Sequence, residues 1–352
     1  MYRDHTVGVV VPAYNEEGFI GEVIREMPAY VDVMYVIDDC STDGTWDEIL
    51  ETADNVAESE SPLEYKDETV LTDGAGSLLS QRAIVRDPTG RVVPIQHREN
   101  VGAGGAIKTG YLAALEDETD VTVTVDGDGQ MDLSQMTRLL DPIVKGEADY
   151  TKGNRLLYKE YRSAMPKFRF IGNSILTFLT KIASGYWKTM DPQNGYTAIS
   201  HYALDNVGIA SLYEYYGYCN DLLVKLNAKG MRVADVAMPA VYGDEKSSIK
   251  YSTYIRKVSG MLLKNFLWRL KVKYLVLDFH PLALFYCFGA VTALLGGLGG
   301  LWSLYAKYAL GDPLFVRASA SLLLFTMGCM FIMFAMLFDM QVNENREVQI
   351  RE

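Results

Sequence analysis

Val121-Thr-Val-Thr-Val125-Asp-Gly-Asp128-Gly-Gln130 is the stretch that decides how this chain reads. Its five β-prone residues in a row form the pattern of a buried strand. Two carboxylates separated by one glycine stand at the strand end, with a carboxamide two positions on. In an open α/β sheet, ligands bind in the crevice beyond the carboxyl ends of the strands. Asp126, Asp128 and Gln130 at that place offer hard oxygen donors, which suit Mg²⁺ or Mn²⁺. Asp and Gly are equally the residues of ordinary turns. The pair therefore takes its meaning from what surrounds it.

Working outward, the same arrangement recurs. Residues 6–12 read as a first strand, followed by Ala13-Tyr-Asn-Glu-Glu17 and a helix through about Met27. Val33–Ile37 reads as a second strand, ending in Asp38-Asp39-Cys-Ser-Thr-Asp-Gly44 and a helix through about Thr52. Val92–Gln96 is a third, followed by Asn100-Val-Gly-Ala-Gly-Gly105 and a helix through about Leu115. Strands alternating with helices imply parallel βαβ units. Each strand then ends in a polar or glycine-rich turn facing one common crevice. Between Asp54 and Arg91 lies a polar excursion with Glu58, Glu60, Glu64, Asp67, Glu68 and a turn at Asp87-Pro-Thr-Gly90. It reads as a solvated hairpin insertion, with a lid or an oligomer contact as the sharper alternative.

The C-terminal part changes the class of the protein. Leu282 to Tyr305 runs 24 residues without a charge, and Ala318 to Phe338 another 21. About 20 apolar residues cross a bilayer core as a helix, so two transmembrane helices are expected. Gly296, Gly297, Gly299, Gly300 and Gly328 would let them approach closely. The connection Ala306–Leu314 is short, which makes the pair a hairpin with both flanks on one side. Lys257, Lys264, Arg269, Lys271 and Lys273 precede the first span, against Lys307 in the connection, and the positive-inside rule places the soluble part in the cytoplasm. Phe168–Trp187 and Tyr254–Tyr274 mix aliphatic and aromatic residues with Lys and Arg; each reads either as a core helix or as one lying in the headgroup region.

Composition bounds the rest. The net charge of −12 argues against general nucleic-acid binding, which requires a basic footprint. Cys40, Cys219, Cys287 and Cys329 lack metal-ligand spacing, and a reduced compartment is the simplest expectation. Met1-Tyr-Arg-Asp-His runs into the first strand without an apolar signal core, so export by that route is not expected.

Taken in order, Val10-Val-Pro-Ala-Tyr-Asn-Glu-Glu17, Asp38-Asp39-Cys-Ser-Thr-Asp43, Asn100-Val-Gly-Ala-Gly104, Asp126-Gly-Asp-Gly-Gln130 and Asp191-Pro-Gln-Asn-Gly-Tyr196 resemble the motifs of family 2 glycosyltransferases with the GT-A fold. More narrowly the chain resembles polyprenyl-phosphate glycosyltransferases, the dolichol-phosphate mannose synthases and undecaprenyl-phosphate glucosyltransferases. The likeness covers residues 6–255 apart from the insertion. It implies a mostly parallel nucleotide-sugar-binding domain over residues 1–253 with the insertion at 54–91, an interfacial amphipathic helix at 254–274, a transmembrane hairpin at 275–340 and a cytoplasmic tail at 341–352.

The resemblance also implies roles for particular residues. Pro12, Ala13, Tyr14, Glu16 and Asp39 correspond to the wall for base and ribose, with Gly102, Lys108, Asp126 and Gly127 completing the donor-nucleotide site. Asp126, Asp128 and Gln130 correspond to the site for Mg²⁺ or Mn²⁺ and the donor diphosphate, with Asp126 and Asp128 serving catalysis. Arg155, Gln193 and Lys250 correspond to acceptor or phosphate contacts. Asp221, in Tyr218-Cys-Asn-Asp-Leu-Leu223, lies near a position where many family members carry an acidic catalytic residue, although the local spelling differs here. The activity implied is inverting transfer of a hexose from a nucleotide sugar, with UDP-glucose or GDP-mannose expected, to a polyprenyl phosphate. Two rivals stand beside it: transfer to a sugar hydroxyl of a lipid-linked glycan, and nucleotide-sugar binding without turnover. The Q-x-x-R-W signature of processive synthases is absent, since Trp268-Arg269 has the order reversed. Glycine-bearing hairpins often self-associate, so a homo-oligomer is compatible with the sequence.

Overall fold

The computed structural model describes residues 1–59, 75–158, 167–239 and 251–350. Lys250 and its neighbour Lys246 lie outside the described residues, as do Glu60, Glu64, Asp67 and Glu68 of the polar excursion. The elements in chain order are β1 (Val7–Ala13), α1 (Ile20–Arg25), β2 (Val33–Asp38), α2 (Thr45–Ser59), α3 (Ala75–Arg82), β3 (Ala83–Val85), β4 (Val92–His97), α4 (Ala103–Glu116) and β5 (Val121–Thr124). They continue with α5 (Met136–Val144), β6 (Tyr150–Asn154), α6 (Lys167–Ser184), β7 (Thr197–Ser200), α7 (His201–Asn206), α8 (Tyr218–Ala228) and β8 (Val233–Ala237). The last are α9 (Tyr251–Lys271), α10 (Leu282–Ala309), α11 (Phe315–Asn343) and β9 (Glu347–Ile350).

The strands form one nine-stranded sheet in the order β3-β4-β2-β1-β5-β7-β6-β8-β9. β4, β2, β1 and β5 are parallel neighbours, as are β6, β8 and β9; β3 and β7 run antiparallel to theirs. The continuous apolar runs of β1 and β2 follow from this, because strands covered by helices on both faces have no solvent side to alternate toward. One face packs α4, α7 and α8 through Tyr111, Leu204, Leu222 and Leu226, and the other packs α1, α2 and α5 through Ile24, Ile49, Leu139 and Leu140. β7 begins opposite Thr124, so the segment just before it lies at the same end of the sheet as Asp126.

The polar excursion is only partly a solvated insertion. α2 continues to Ser59, α3 buries Leu79, and β3 forms a hairpin with β4 around the turn at Asp87–Gly90, burying Ala83.

Two helices, α10 and α11, are long and apolar enough to cross a membrane. They pack against one another where glycines permit it. A Cβ on Gly296 would collide with the Phe325 backbone and one on Gly328 with Ala293, whereas Gly297 and Gly300 face open space. The outward faces carry exposed Leu294, Leu298, Leu301, Leu322, Leu323 and Met333, an apolar surface larger than soluble monomers present. The residues after the hairpin are not a free tail. α11 runs to Asn343, and Glu347–Ile350 pairs in parallel with β8, so the C-terminal end of the hairpin returns to the sheet, while α9 before it packs on α6 and α8.

The join between hairpin and sheet is a buried polar knot. Arg269 of α9, fully buried, donates from Nη1 and Nη2 to the two oxygens of Asp339 on α11 at 2.9 and 2.8 Å. It also donates from Nε to the Ala183 carbonyl at 2.8 Å and from Nη2 to Ile182 O at 3.1 Å. These carbonyls belong to the last turn of α6, where no helical donor remains to satisfy them. Gly185, at φ +78, closes that helix, and a Cβ there would strike the Arg269 guanidinium. Tyr274 donates its hydroxyl to Asp339 at 2.7 Å, and Lys273 donates to Asn227 and Asn343, both at 2.6 Å. Burial and the neighbouring Arg269 charge bring the Lys273 ammonium down to about 7. Arg269 and Lys273, both counted in the basic flank of the hairpin, are thus turned inward.

Removing Asp339 leaves a guanidinium buried without a counter-charge, a loss of about 3–5 kcal/mol. Asp339→Ala is expected to unfold at markedly lower temperature in detergent, and Arg269→Met combined with Asp339→Leu to recover most of the loss. A double variant as unstable as Asp339→Ala would contradict this account of the knot.

Candidate active site

The C-terminal ends of β1, β2, β4 and β5 carry the four loops read from sequence, and side chains stitch those loops together. Asn15, at φ 57, accepts from the Thr42 amide at 2.8 Å, and its own amide donates to Ser41 Oγ at 3.0 Å. The Glu16 amide donates to Thr45 Oγ1 at 2.8 Å, and the Gly44 amide to Glu17 at 3.0 Å. Tyr14 stands exposed at the mouth, while Pro12 and Glu16 are half-buried and Ala13 is buried. The Gly127 amide donates to Pro12 O at 3.2 Å, which fixes the Asp126–Gln130 turn against the first loop.

Asp39 is a hub of this arrangement. Its Oδ1 accepts from His97 Nδ1 at 2.7 Å and from the Val101 amide at 2.9 Å, and its Oδ2 from the Gly102 amide at 2.8 Å. A carboxylate accepts about four hydrogen bonds, so three partners leave one direction for a ligand donor. Gly102 sits at φ +88, with Glu214 O only 2.9 Å from where a Cβ would be; glycine there answers both constraints. His97 links Asp39 to Thr109 of α4 through Nε2 at 2.8 Å. Neither His97 nor its role was visible in the sequence, where the expected strand ends at Gln96; His97 is the last residue of β4.

Asp126 lies against the Asp191–Tyr196 loop, its carboxylate oxygens 3.3 and 3.4 Å from the place a Cβ on Gly195 would take. Tyr218, also against Gly195, and Tyr216 face the same carboxylate, whose charge adds to burial in pushing both phenols up. The tyrosine-rich run Tyr213-Glu-Tyr-Tyr-Gly-Tyr218 is the sequence signal for this wall. Asp128 accepts the Gln130 amide at 3.0 Å across a turn in which Gly129 adopts φ +69. Burial raises the Asp128 carboxyl above its ordinary value. Among the described residues no three His, Cys, Asp or Glu side chains form a closed metal cluster. A cation at this turn would therefore draw its remaining ligands from substrate and water, as Mg²⁺ characteristically does.

The structure ties up the other sequence candidates. Lys108 is buried and donates to Glu214 at 2.9 Å, sharing it with Arg82 of α3 at 2.5 Å. Arg155 grips Asp191 bidentately, Nε to Oδ2 at 2.7 Å and Nη2 to Oδ1 at 3.0 Å. Lys152 is buried on Asp235 at 3.0 Å. Asp221 accepts from Asn265 at 2.6 Å, from the Tyr213 amide at 2.9 Å and from Lys225 at 3.1 Å; this is the environment of a structural carboxylate. Gln193 differs from all of these, because both atoms of its carboxamide are buried without a hydrogen-bond partner. Such groups in a native fold call for an explanation, and a ligand in the crevice supplies one.

A crevice walled by acidic, glycine and tyrosine loops lies at the strand ends, where open α/β sheets take their ligands. The family model described as glycosyl transferase family 2 matches residues 8–69 and 46–208, more than half of the 352 residues. The chain belongs to glycosyltransferase family 2, and its sheet is of the GT-A type. It is 27% identical over 240 residues to the UDP-N-acetylglucosamine–dolichyl-phosphate N-acetylglucosaminyltransferase of Methanococcus voltae, a match covering 68% of this chain and 87% of that one. It is 26% identical over 240 residues to an uncharacterized protein of Methanocaldococcus jannaschii, covering 68% and 83%. Among solved structures, glucosyl-3-phosphoglycerate synthase from Mycobacterium tuberculosis in complex with UDP aligns with a TM-score of 0.49 at 19% identity, over 76% of this chain and 81% of that one.

Asp128 and Asp221 should separate in a stability measurement. Burial raises the folded-state value of Asp128, so its ionisation opposes folding as pH rises from the unfolded carboxylate range through the raised value. Without added metal, Asp128→Asn is expected to raise the melting temperature at neutral pH, with the gain vanishing on acidification below that window. Asp221→Ala strands three donors and should lower stability by about 3 kcal/mol. A stabilised Asp221 variant would return that residue to the catalytic candidates.

Proposed function

We propose that the chain is a membrane-embedded inverting glycosyltransferase that moves a sugar from a nucleoside-diphosphate sugar onto a polyprenyl phosphate, with its sheet on the cytoplasmic side. The observation that carries this reading is the buried, unpartnered Gln193 carboxamide in the loop whose Gly195 lies against the Asp126 carboxylate, in a domain whose last helices form an apolar hairpin. A long isoprenoid stays in the bilayer, so a crevice that serves it must be fixed near the membrane surface. The dolichyl-phosphate acceptor named for the Methanococcus voltae relative supports the same acceptor class. That relative also puts UDP-N-acetylglucosamine beside UDP-glucose and GDP-mannose as the donors to test first.

In this reading Pro12, Ala13, Tyr14 and Glu16 wall the nucleoside, and the remaining acceptor direction of Asp39 meets a donor on the base. Asp126, Asp128 and Gln130 would hold Mg²⁺ or Mn²⁺, which, when bound, offsets the charge of the nucleoside diphosphate leaving group. Their all-oxygen donor set fits such a hard ion. Gln193 hydrogen-bonds the sugar or the acceptor, and Arg155, aligned by Asp191, faces the acceptor phosphate. Lys250 stands as a second phosphate contact by resemblance alone. A phosphate monoester has its second pKa near 6, so at neutral pH the nucleophile is already largely dianionic and requires no protein base. The site's task is then in-line alignment with the anomeric carbon, and a single displacement inverts that carbon.

The test is a radiolabel transfer assay with detergent-purified protein, polyprenyl phosphate, Mn²⁺ and a panel of UDP-glucose, UDP-N-acetylglucosamine, UDP-galactose and GDP-mannose. A labelled lipid cleaved by mild acid is expected from one donor, and Asp128→Ala should lower its formation at least about 100-fold. Donor binding without a lipid product would instead favour a sugar-hydroxyl acceptor.

A further inference from the structure

Four consecutive backbone amides, at residues 187–190, are bound by two carboxylates. Trp187 N donates to Glu347 Oε1 at 2.7 Å, and Lys188 N and Thr189 N donate to Glu347 Oε2 at 2.7 and 2.8 Å. The Thr189 hydroxyl adds a fourth contact to the Glu347 carboxylate, at Oε2 and 3.2 Å, and the Met190 amide donates to Asp235 Oδ2 at 2.6 Å. Asp235 belongs to β8 inside the sheet. Glu347 belongs to β9, the strand that follows the membrane hairpin, where it stands opposite Val233. Gln349, two residues on, returns a hydrogen bond to the Lys188 carbonyl at 3.1 Å.

The tethered segment leads directly into the acceptor side of the crevice. Asp191 follows at φ 48 with its carboxylate on Arg155, and Lys152 holds the carbonyls of Met190 and Asp191. Gln193, with its unpartnered carboxamide, comes two residues later, and Gly195 touches Asp126 two residues after that. Such a loop has little secondary structure to define it, and the Glu347 carboxylate supplies what a helix or strand would supply elsewhere. A buried carboxylate is costly unless fully hydrogen-bonded, and three amides and a hydroxyl converge on this one.

We propose that Glu347 is a positioning residue for the transfer reaction. Through the amides of Trp187, Lys188 and Thr189 it sets the path of the loop in which Asp191 aligns Arg155 toward the acceptor phosphate and which carries Gln193. The strand returning from the membrane hairpin thereby completes the acceptor side of the site. This rests on the reading of that loop as the acceptor wall given above.

The experiment uses full-length protein in detergent, comparing wild type with Glu347→Gln, Gln193→Ala and Arg155→Ala. Gln at 347 keeps the size of the side chain and one carbonyl acceptor but sets an NH₂ group against the amides. Two quantities are read: hydrogen exchange across residues 186–195, and the separate KM values for polyprenyl phosphate and nucleotide sugar alongside kcat. Glu347→Gln is expected to speed exchange at 187–190 and to raise the KM for the lipid phosphate about tenfold, the worth of one charge-assisted hydrogen bond. The nucleotide-sugar KM should stay within about twofold, well under one such bond. Unchanged exchange, or an unchanged lipid-phosphate KM while Gln193→Ala and Arg155→Ala both raise theirs, overturns the proposal for Glu347 alone. A parallel loss of kcat, both KM values and melting temperature overturns it too, by showing a merely structural role. If Gln193→Ala and Arg155→Ala leave the lipid-phosphate KM unaltered, the acceptor-wall reading fails instead.

Discussion

The contact between Arg269 and Asp339 is the constraint on which the arrangement of this protein depends. A guanidinium and a carboxylate, both withdrawn from solvent, are tolerated only where geometry is good and the remaining donors are satisfied. Here the fork of Arg269 meets both oxygens of Asp339, and its other donors close the exposed carbonyls of α6. Three elements distant in sequence, α6, α9 and α11, are thereby locked in one place. Apolar packing alone would fix them less specifically, since Leu270, Tyr274, Leu282 and Ala335 around the knot could slide by a turn at modest cost.

Fixing α11 determines where the chain goes next. Asn343, hydrogen-bonded to Asn227 and Asp339, ends the helix within reach of β8, and the next residues add a strand to the sheet edge. That strand covers an edge which would otherwise present unpaired backbone groups. The same strand delivers the Glu347 carboxylate to residues 187–189. The hairpin, the sheet and the loop beside Asp126 are thus parts of one connected structure rather than a catalytic domain hung from an anchor.

The half of the fold governed by local pattern was legible in the sequence. β1, β2, β4 and β5 announce themselves as apolar runs followed by polar turns, and α10 and α11 as long uncharged segments; each falls within a few residues of the expected bounds. What stayed hidden depends on partners far away. Asp39 looks like an ordinary turn residue until β4 and α4 bring His97, Val101 and Gly102 to it. Arg269 and Lys273 look like surface charge flanking a membrane span, yet Asp339, some 70 residues on, draws one inward, and Asn227 and Asn343 the other. β9 is four residues long, and the alternation of Glu347-Val-Gln-Ile350 is too short to stand out, so the position of α11 is what makes it a strand.

The fate of the carboxylates bears on the chemistry more than the motif that first drew attention to them. A hydroxyl acceptor demands a general base, and in the tethered state of Asp221 three donors hold the side chain away from such work. Asp191 is likewise committed to Arg155. Asp126, faced by Tyr216 and Tyr218, and Asp128, whose burial opposes its charge, are the acidic groups placed to gain from an incoming cation. Under the proposed function, with Asp126 and Asp128 placed for a cation and the other carboxylates engaged as struts, the acceptor is one that arrives already ionised, as a phosphate monoester does.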